Sequence, residues 1–213
     1  MKRQRSEEAI KFLKQKKDAL IVAGIVAVLL VSALLSFNYL REQKQKDARI
    51  AFAEALSAQS AQNQDAAADA LRAVSQEYKG TIYAAYSLKL LGLNYLNRGE
   101  YREAVIAFED ALKAKQPSPF LTAQLWELKA TALEFDGSLD EALSAFQRAL
   151  NVANNNYRRN EVLLKAGLLN LRMGQNGQAK NNFERIIADA TANDRILRIA
   201  RNEIAAMEAH GHQ

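Results

Sequence analysis

Cysteine is absent from this 213-residue chain, tryptophan occurs once, and proline and histidine occur twice each. Without cysteine there is no disulfide and no thiolate metal site, although proteins of many compartments lack it, so the absence does not place the chain. The two histidines, His210 and His212, form a His-Gly-His tail that can chelate a metal, but a frayed polar terminus is the simpler reading. There is no glycine-rich phosphate loop, no nucleophile elbow and no pair of metal ligands spaced along a helix face. Neighbouring acids do not fill the gap. Glu109-Asp110 and Asp140-Glu141 are adjacent in sequence and so point apart on a helix, and Asp140-Glu141 suits a helix N-terminus. No metal and no cofactor is expected. An enzyme would need a site that these residues do not supply, so the chain reads as a non-enzyme.

What the chain does have is repetition. Gly99, Gly137 and Gly174 recur 38 and 37 residues apart, and each is followed by one apolar signature: Ala104, Phe108 and Ala111; Ala142, Phe146 and Ala149; Ala179, Phe183 and Ile186. The spacing i, i+4, i+7 puts each trio on one helical stripe, with a small residue where helices approach and an aromatic to fill the space between them. The glycines suit left-handed caps at the end of the preceding helix. A hairpin built this way leaves an apolar face that only another hairpin covers, which is the logic of a helical array.

This pattern is similar to the tetratricopeptide repeat, whose consensus runs Trp-x2-Leu-Gly-x2-Tyr and then Ala-x3-Phe. From Ala85 the matching residues are Leu88, Leu91, Gly92, Tyr95, Ala104, Phe108 and Ala111, with Pro117 one place late. From Ala123 they are Trp126, Ala130, Ala142, Phe146 and Ala149, while Lys129 and Leu133 depart. From Asn160 they are Leu163, Gly167, Ala179 and Phe183, with Asn170 in place of an aromatic. Carrying the period backwards reaches Asp47, where Ala66, Ala70 and Ala73 fill the second-helix positions of a degenerate first repeat. The Ala-rich stretch Ala58 to Ala73 is either that helix pair or a stalk, and its helix propensity favours the pair. Forwards, Arg195 to Ala209 reads as a closing helix with Ile196, Ile199, Ala200, Ile204 and Met207 inward and Arg198, Arg201, Asn202 and Glu208 outward. The run Asn154-Asn155-Asn156 reads as a polar connector.

Ahead of the repeats, Ala19 to Phe37 holds no charge and only Ser32 and Ser36 as polar side chains, and Tyr39 and Leu40 extend it. As a helix it is long enough to cross about 30 Å of hydrocarbon. A cleaved signal peptide has a shorter apolar run and a small-residue site after it, which is missing here, so a retained anchor is the expectation. Seven Lys or Arg precede the span and four fall in the ten residues after Leu40, which favours a cytoplasmic N-terminus and, in a bacterium, a periplasmic repeat domain. Residues 1–46 hold ten basic and four acidic side chains, leaving 19 against 20 for the remainder. The basic balance therefore belongs to the anchor and the lipid surface, and it does not speak for nucleic acid.

The fold class expected is all-α: one transmembrane helix, then a tetratricopeptide-like α-solenoid of about four hairpins and a capping helix. The segments are 1–18 (basic, cytoplasmic), 19–40 (transmembrane), 41–213 (repeat domain), with repeats near 47–84, 85–122, 123–159 and 160–196 and a cap at 195–209. The resemblance implies a concave groove lined by first-helix positions. Here these are Tyr86, Lys89, Leu93, Leu96 and Asn97; Gln124, Glu127, Thr131, Glu134 and Phe135; and Glu161, Leu164, Leu168, Leu171 and Arg172. Leu168 and Leu171 fit the groove and the packing of neighbouring first helices equally, and Trp126 reads as core before binding site. The family's carboxylate clamp is matched at two of five places, with Glu161 where a cation is required, so the groove suits an unfolded segment, a partner helix or a second copy of the chain.

The order of basic segment, anchor, aromatic exit (Phe37, Tyr39) and Ala-rich helix resembles the ancillary SecYEG translocon subunit family, also called YfgM-like. That resemblance implies an inner-membrane ancillary or chaperone-like factor of protein export, with SecYEG and a membrane-anchored periplasmic chaperone as partners. A scaffold of another envelope assembly complex is the alternative.

Overall fold

The computed structural model describes residues 17–60, 64–114, 118–153 and 155–211. The segment 1–16 and Pro117, Asn154 and His212 lie outside them, and nothing rests on the side chain of His210. Among the described residues there are nine helices and no strand: α1 (Lys17–Ser60), α2 (Gln64–Glu77), α3 (Ile82–Asn97), α4 (Tyr101–Lys113), α5 (Pro119–Asp136), α6 (Leu139–Val152), α7 (Asn156–Arg172), α8 (Asn176–Ile187) and α9 (Asp194–Gly211). The chain divides into two compact units, with the boundary after Lys46.

In the first unit, every described side chain from Ile21 to Leu40 is exposed. The helix that carries them is long and apolar enough to cross a membrane, by length and composition.

The second unit is a stack of hairpins. Its pairs are the end of α1 with α2, then α3 with α4, α5 with α6, and α7 with α8, followed by α9. The first helices of the last three pairs each begin at a polar cap. Thr81 Oγ1 accepts from the Ala84 N–H (3.2 Å), Ser118 Oγ from Leu121 (3.3 Å), and Asn155 Oδ1 from Arg158 (2.8 Å). Asn155 is thus a cap, and Asn156 already belongs to α7 instead of a connector. The second helices α4, α6 and α8 have no side-chain cap, because each starts directly out of a glycine turn. Gly137 sits at φ +87°, with the Ser138 N–H donating to Leu133 O (2.9 Å) and the Gly137 N–H to Glu134 O (3.3 Å). That is the paired bonding of a Schellman cap, and Gly99 and Gly174 repeat it.

The core lies between the helices of each pair and between pairs. Phe108, Phe146 and Phe183 are wholly buried, as are Ala104, Ala111, Ala142, Ala149, Ala179 and Ile186 around them. The close approach is visible at Gly92 and Gly167, where an added Cβ would stand 2.5 Å from Phe108 Cε1 and Phe183 Cε1 respectively. In the middle repeat Ala130 occupies this place and is buried. At the C-terminal end Ile196 and Ala200 of α9 are fully buried, with Ile199, Ile204 and Met207 packed on the same cluster. The last hairpin is therefore closed by an amphipathic helix whose Arg198, Arg201 and Asn202 remain in solvent.

Candidate functional site

The first helices, from the end of α1 through α3, α5 and α7 to α9, are tied side by side by the residues that the repeat register assigned to a groove. Phe52 of α1 meets Tyr86 of α3, ring centroids 6.3 Å apart, and Tyr83 at 5.8 Å. Lys89 Nζ donates to Gln124 Oε1 of α5 (3.3 Å) and stands 5.4 Å from the Tyr86 ring centroid. Glu127 of α5 accepts from Lys165 Nζ and Arg158 of α7, each at 2.6 Å. Arg172 of α7 pairs with Glu134 at 3.0 Å, and Arg195 of α9 with Glu161 at 3.1 Å. These are lateral links between successive first helices, spanning 31 to 38 residues of sequence at the Glu127 cluster.

The electrostatics follow from this packing. Burial pushes the Lys89 ammonium below its ordinary value, and the nearby Arg158 charge pushes the same way. Arg158 and Lys165 face one carboxylate, Glu127, whose side chain is 10% exposed, and Lys89 adds a third positive charge near Arg158. Arg158 uses one nitrogen on Glu127 and lays its guanidinium 4.6 Å from the Phe120 ring centroid, while its Nε is buried with no hydrogen-bond partner among the described residues. A positively charged patch with an aromatic floor can receive an acidic, partly apolar segment. The carboxylate-clamp register is not assembled. Lys165 is already occupied by Glu127, and Glu161 is drawn to Arg195.

The apolar positions separate by exposure. Phe135 is 61% exposed and stacks on Tyr101 with centroids 5.4 Å apart, and Leu168 is 40% exposed. Leu164, one turn from Leu168, is 6% exposed and belongs to the core. Leu93, Leu96 and Leu171 are half-buried against core clusters. Asn97 is exposed, and Thr131 is half-buried with its hydroxyl donating to Glu127 O. Trp126 is half-buried on the core, between Arg148 and Lys129 at 4.9 and 5.3 Å from its ring centroid.

Two members of the site escape the repeat register. Phe120 and Arg158 lie near the starts of α5 and α7, ahead of the positions that line the groove in this repeat class. Phe120 is 45% exposed. The available signal was an aromatic directly after a Ser-Pro helix start and paired arginines beginning three residues after an Asn cap. Among the described residues no group of His, Cys, Asp or Glu is placed to hold a metal ion.

Comparison with known proteins locates the fold. A tetratricopeptide repeat protein from Parabacteroides merdae superposes with TM-score 0.63 at 19% identity, over 78% of this chain and 61% of that one. MamA gives 0.55 at 19% identity, over 66% of this chain and 72% of its own. The tetratricopeptide domain of Sgt2 from Aspergillus fumigatus gives 0.50 at 21% identity, over 61% and 83%. These likenesses are of fold. No curated protein matches the sequence. The tetratricopeptide repeat-like domain matches residues 11–206, which is nearly the whole chain. The hairpin stack, its glycine caps and that match agree: this protein belongs to the tetratricopeptide repeat-like domain family.

Proposed function

We propose that this chain is a membrane-anchored protein-interaction module that holds an extended or helical segment of a partner on its first-helix face. The observation that carries the proposal is the composition of that face. Exposed Phe120, Phe135 and Leu168 occur on the first helices together with Lys89, Arg158 and Lys165, across three hairpins. Large side chains spread this far suit a chain, where a small molecule would need one enclosed pocket.

The anchor is the helix carrying Ala19 to Leu40, with the N-terminus cytoplasmic and the repeat unit periplasmic at the bacterial inner membrane, following the bias of flanking Lys and Arg. The family match begins at residue 11, ahead of the apolar segment, so apolar helix and repeats fall within one family domain. The resemblance of the segment order to the ancillary SecYEG translocon subunit family motivates an ancillary, chaperone-like role in protein export, with SecYEG and a membrane-anchored periplasmic chaperone as partners.

Crosslinking in intact membranes, followed by identification of the products, tests both layers. Export-channel subunits are the expected products, and capture of other envelope machinery instead would favour a general scaffold. Changing Tyr86 and Phe135 together to Ala should weaken capture while the melting temperature moves by a few degrees at most. Undiminished capture, or loss of the ~3 to 5 kcal/mol typical of truncating a buried aromatic, would refute the groove.

A further inference from the structure

The second helices form another face, and its gaps are unequally filled. Between α4 and α6 the gap is plugged by Trp126 of α5, under Arg148 and Lys129. Leu88 holds the repeat-equivalent place in α3, and the smaller side chain leaves a cavity of about 660 Å³ between α2 and α4, with Ala84, Leu88 and Leu91 in its floor. The corresponding space between α6 and α8 is about 540 Å³, but it is lined largely by amides, among them Gln147, Asn170, Gln178 and Asn182. The α2/α4 cavity is the more apolar of the two in its floor, with charged side chains such as Arg72, Lys79, Glu103 and Asp110 around it. On its rim stands Ile106, 59% exposed.

A protruding isoleucine beside an apolar cavity on the same surface is self-complementary, and such patches form isologous pairs about a two-fold axis. The charges of α4 agree. Arg102, Ile106 and Asp110 succeed one another at four-residue spacing along one exposed ridge. If two α4 helices cross antiparallel at Ile106, Arg102 of each copy meets Asp110 of the other, twice over. Their partners within one chain are surface pairs, Arg102 to Asp136 at 3.4 Å and Lys113 to Asp110 at 3.0 Å, which hold these groups weakly. We infer that the α2/α4 face is a homodimer surface, with the two Ile106 side chains meeting at the two-fold axis over the mouths of the two cavities. This goes beyond the partner-binding groove, which lies on the other set of helices.

The chain has no cysteine, so a single introduced one reports cleanly. Full-length Ile106→Cys in detergent micelles under mild oxidation should give disulfide-linked dimer at least about tenfold above Glu184→Cys, an exposed site on α8, because residues on a two-fold axis come within disulfide reach. In the Ile106→Cys background, Arg102→Asp should cut dimer several-fold, and adding Asp110→Arg should restore it. All these positions are exposed, so the changes leave the core intact. Crosslinking no stronger than the Glu184→Cys control, failure of the double charge exchange to restore it, or preferential capture of a different protein by the thiol of the Ile106→Cys variant would each overturn the inference.

Discussion

Gly137 and Gly92 must both be glycine, for different reasons. At Gly137 the space around an added Cβ is empty, so only the backbone objects: φ is +87°, a conformation that costs L residues roughly 1 to 2 kcal/mol. Gly137→Val should therefore lower unfolding stability by about that amount in urea titration, and an unchanged midpoint would refute the cap. At Gly92 the backbone is ordinary helix, and the obstacle is the Phe108 ring. Gly92→Ala, and Gly167→Ala against Phe183, should cost about 1 to 3 kcal/mol by overpacking. The middle repeat carries Ala130 at this place with Phe146 still fully buried, so the α5/α6 pair alone accommodates a methyl group there. The sequence marked all of these positions through the repeat pattern. It could not say which glycine was needed for its φ and which for its missing Cβ.

At the scale of elements, the links between first helices are where charge meets packing. Glu127 holds α5 to α7 through Arg158 and Lys165, and removing it leaves two cations at a half-desolvated seam. Glu127→Ala should cost about 2 to 4 kcal/mol, somewhat below a fully buried pair because Lys165 is partly in water, and Glu127→Gln should cost less. Lys89 tests the seam by pH. Its folded value lies below the ordinary 10.5, so between the two values the unfolded chain binds more protons and stability rises with pH. Below both values the ammonium is charged in both states and its desolvation works fully against folding. Compared with Lys89→Met, the native chain should therefore gain stability as pH rises through the lowered folded value toward 10.5 in paired denaturation curves. Parallel curves would show that Lys89 is not desolvated. These links join residues some 35 positions apart, and no local pattern pairs Lys89 with Gln124 or Glu127 with Arg158.

For the whole molecule, the boundary after Lys46 predicts that residues 47–213 make a helical domain without the N-terminal apolar helix. A circular dichroism spectrum dominated by strand or coil would refute this. An alkaline-phosphatase fusion after residue 213 should be active, and the mature chain should retain Met1 or Lys2. Activity of a cytoplasmic reporter at the same point would overturn the proposed topology. The residue order by itself determined the all-helical class, the repeat period, the glycine turns, the closing helix and the apolar run, because each of these is a periodicity or a local backbone requirement written along one dimension. Which register positions are open was decided only in three dimensions. Leu164 and Leu168 lie one turn apart in the same helix, yet one is core and the other surface. Phe120 and Arg158 enter the first-helix face from outside the register, and Trp126 fills one gap of the opposite face while Leu88 leaves its counterpart empty. Periodicity states which side of a helix a residue occupies. Whether that side is covered depends on how closely the neighbouring helices stand, and that distance is set by side-chain volumes belonging to other repeats.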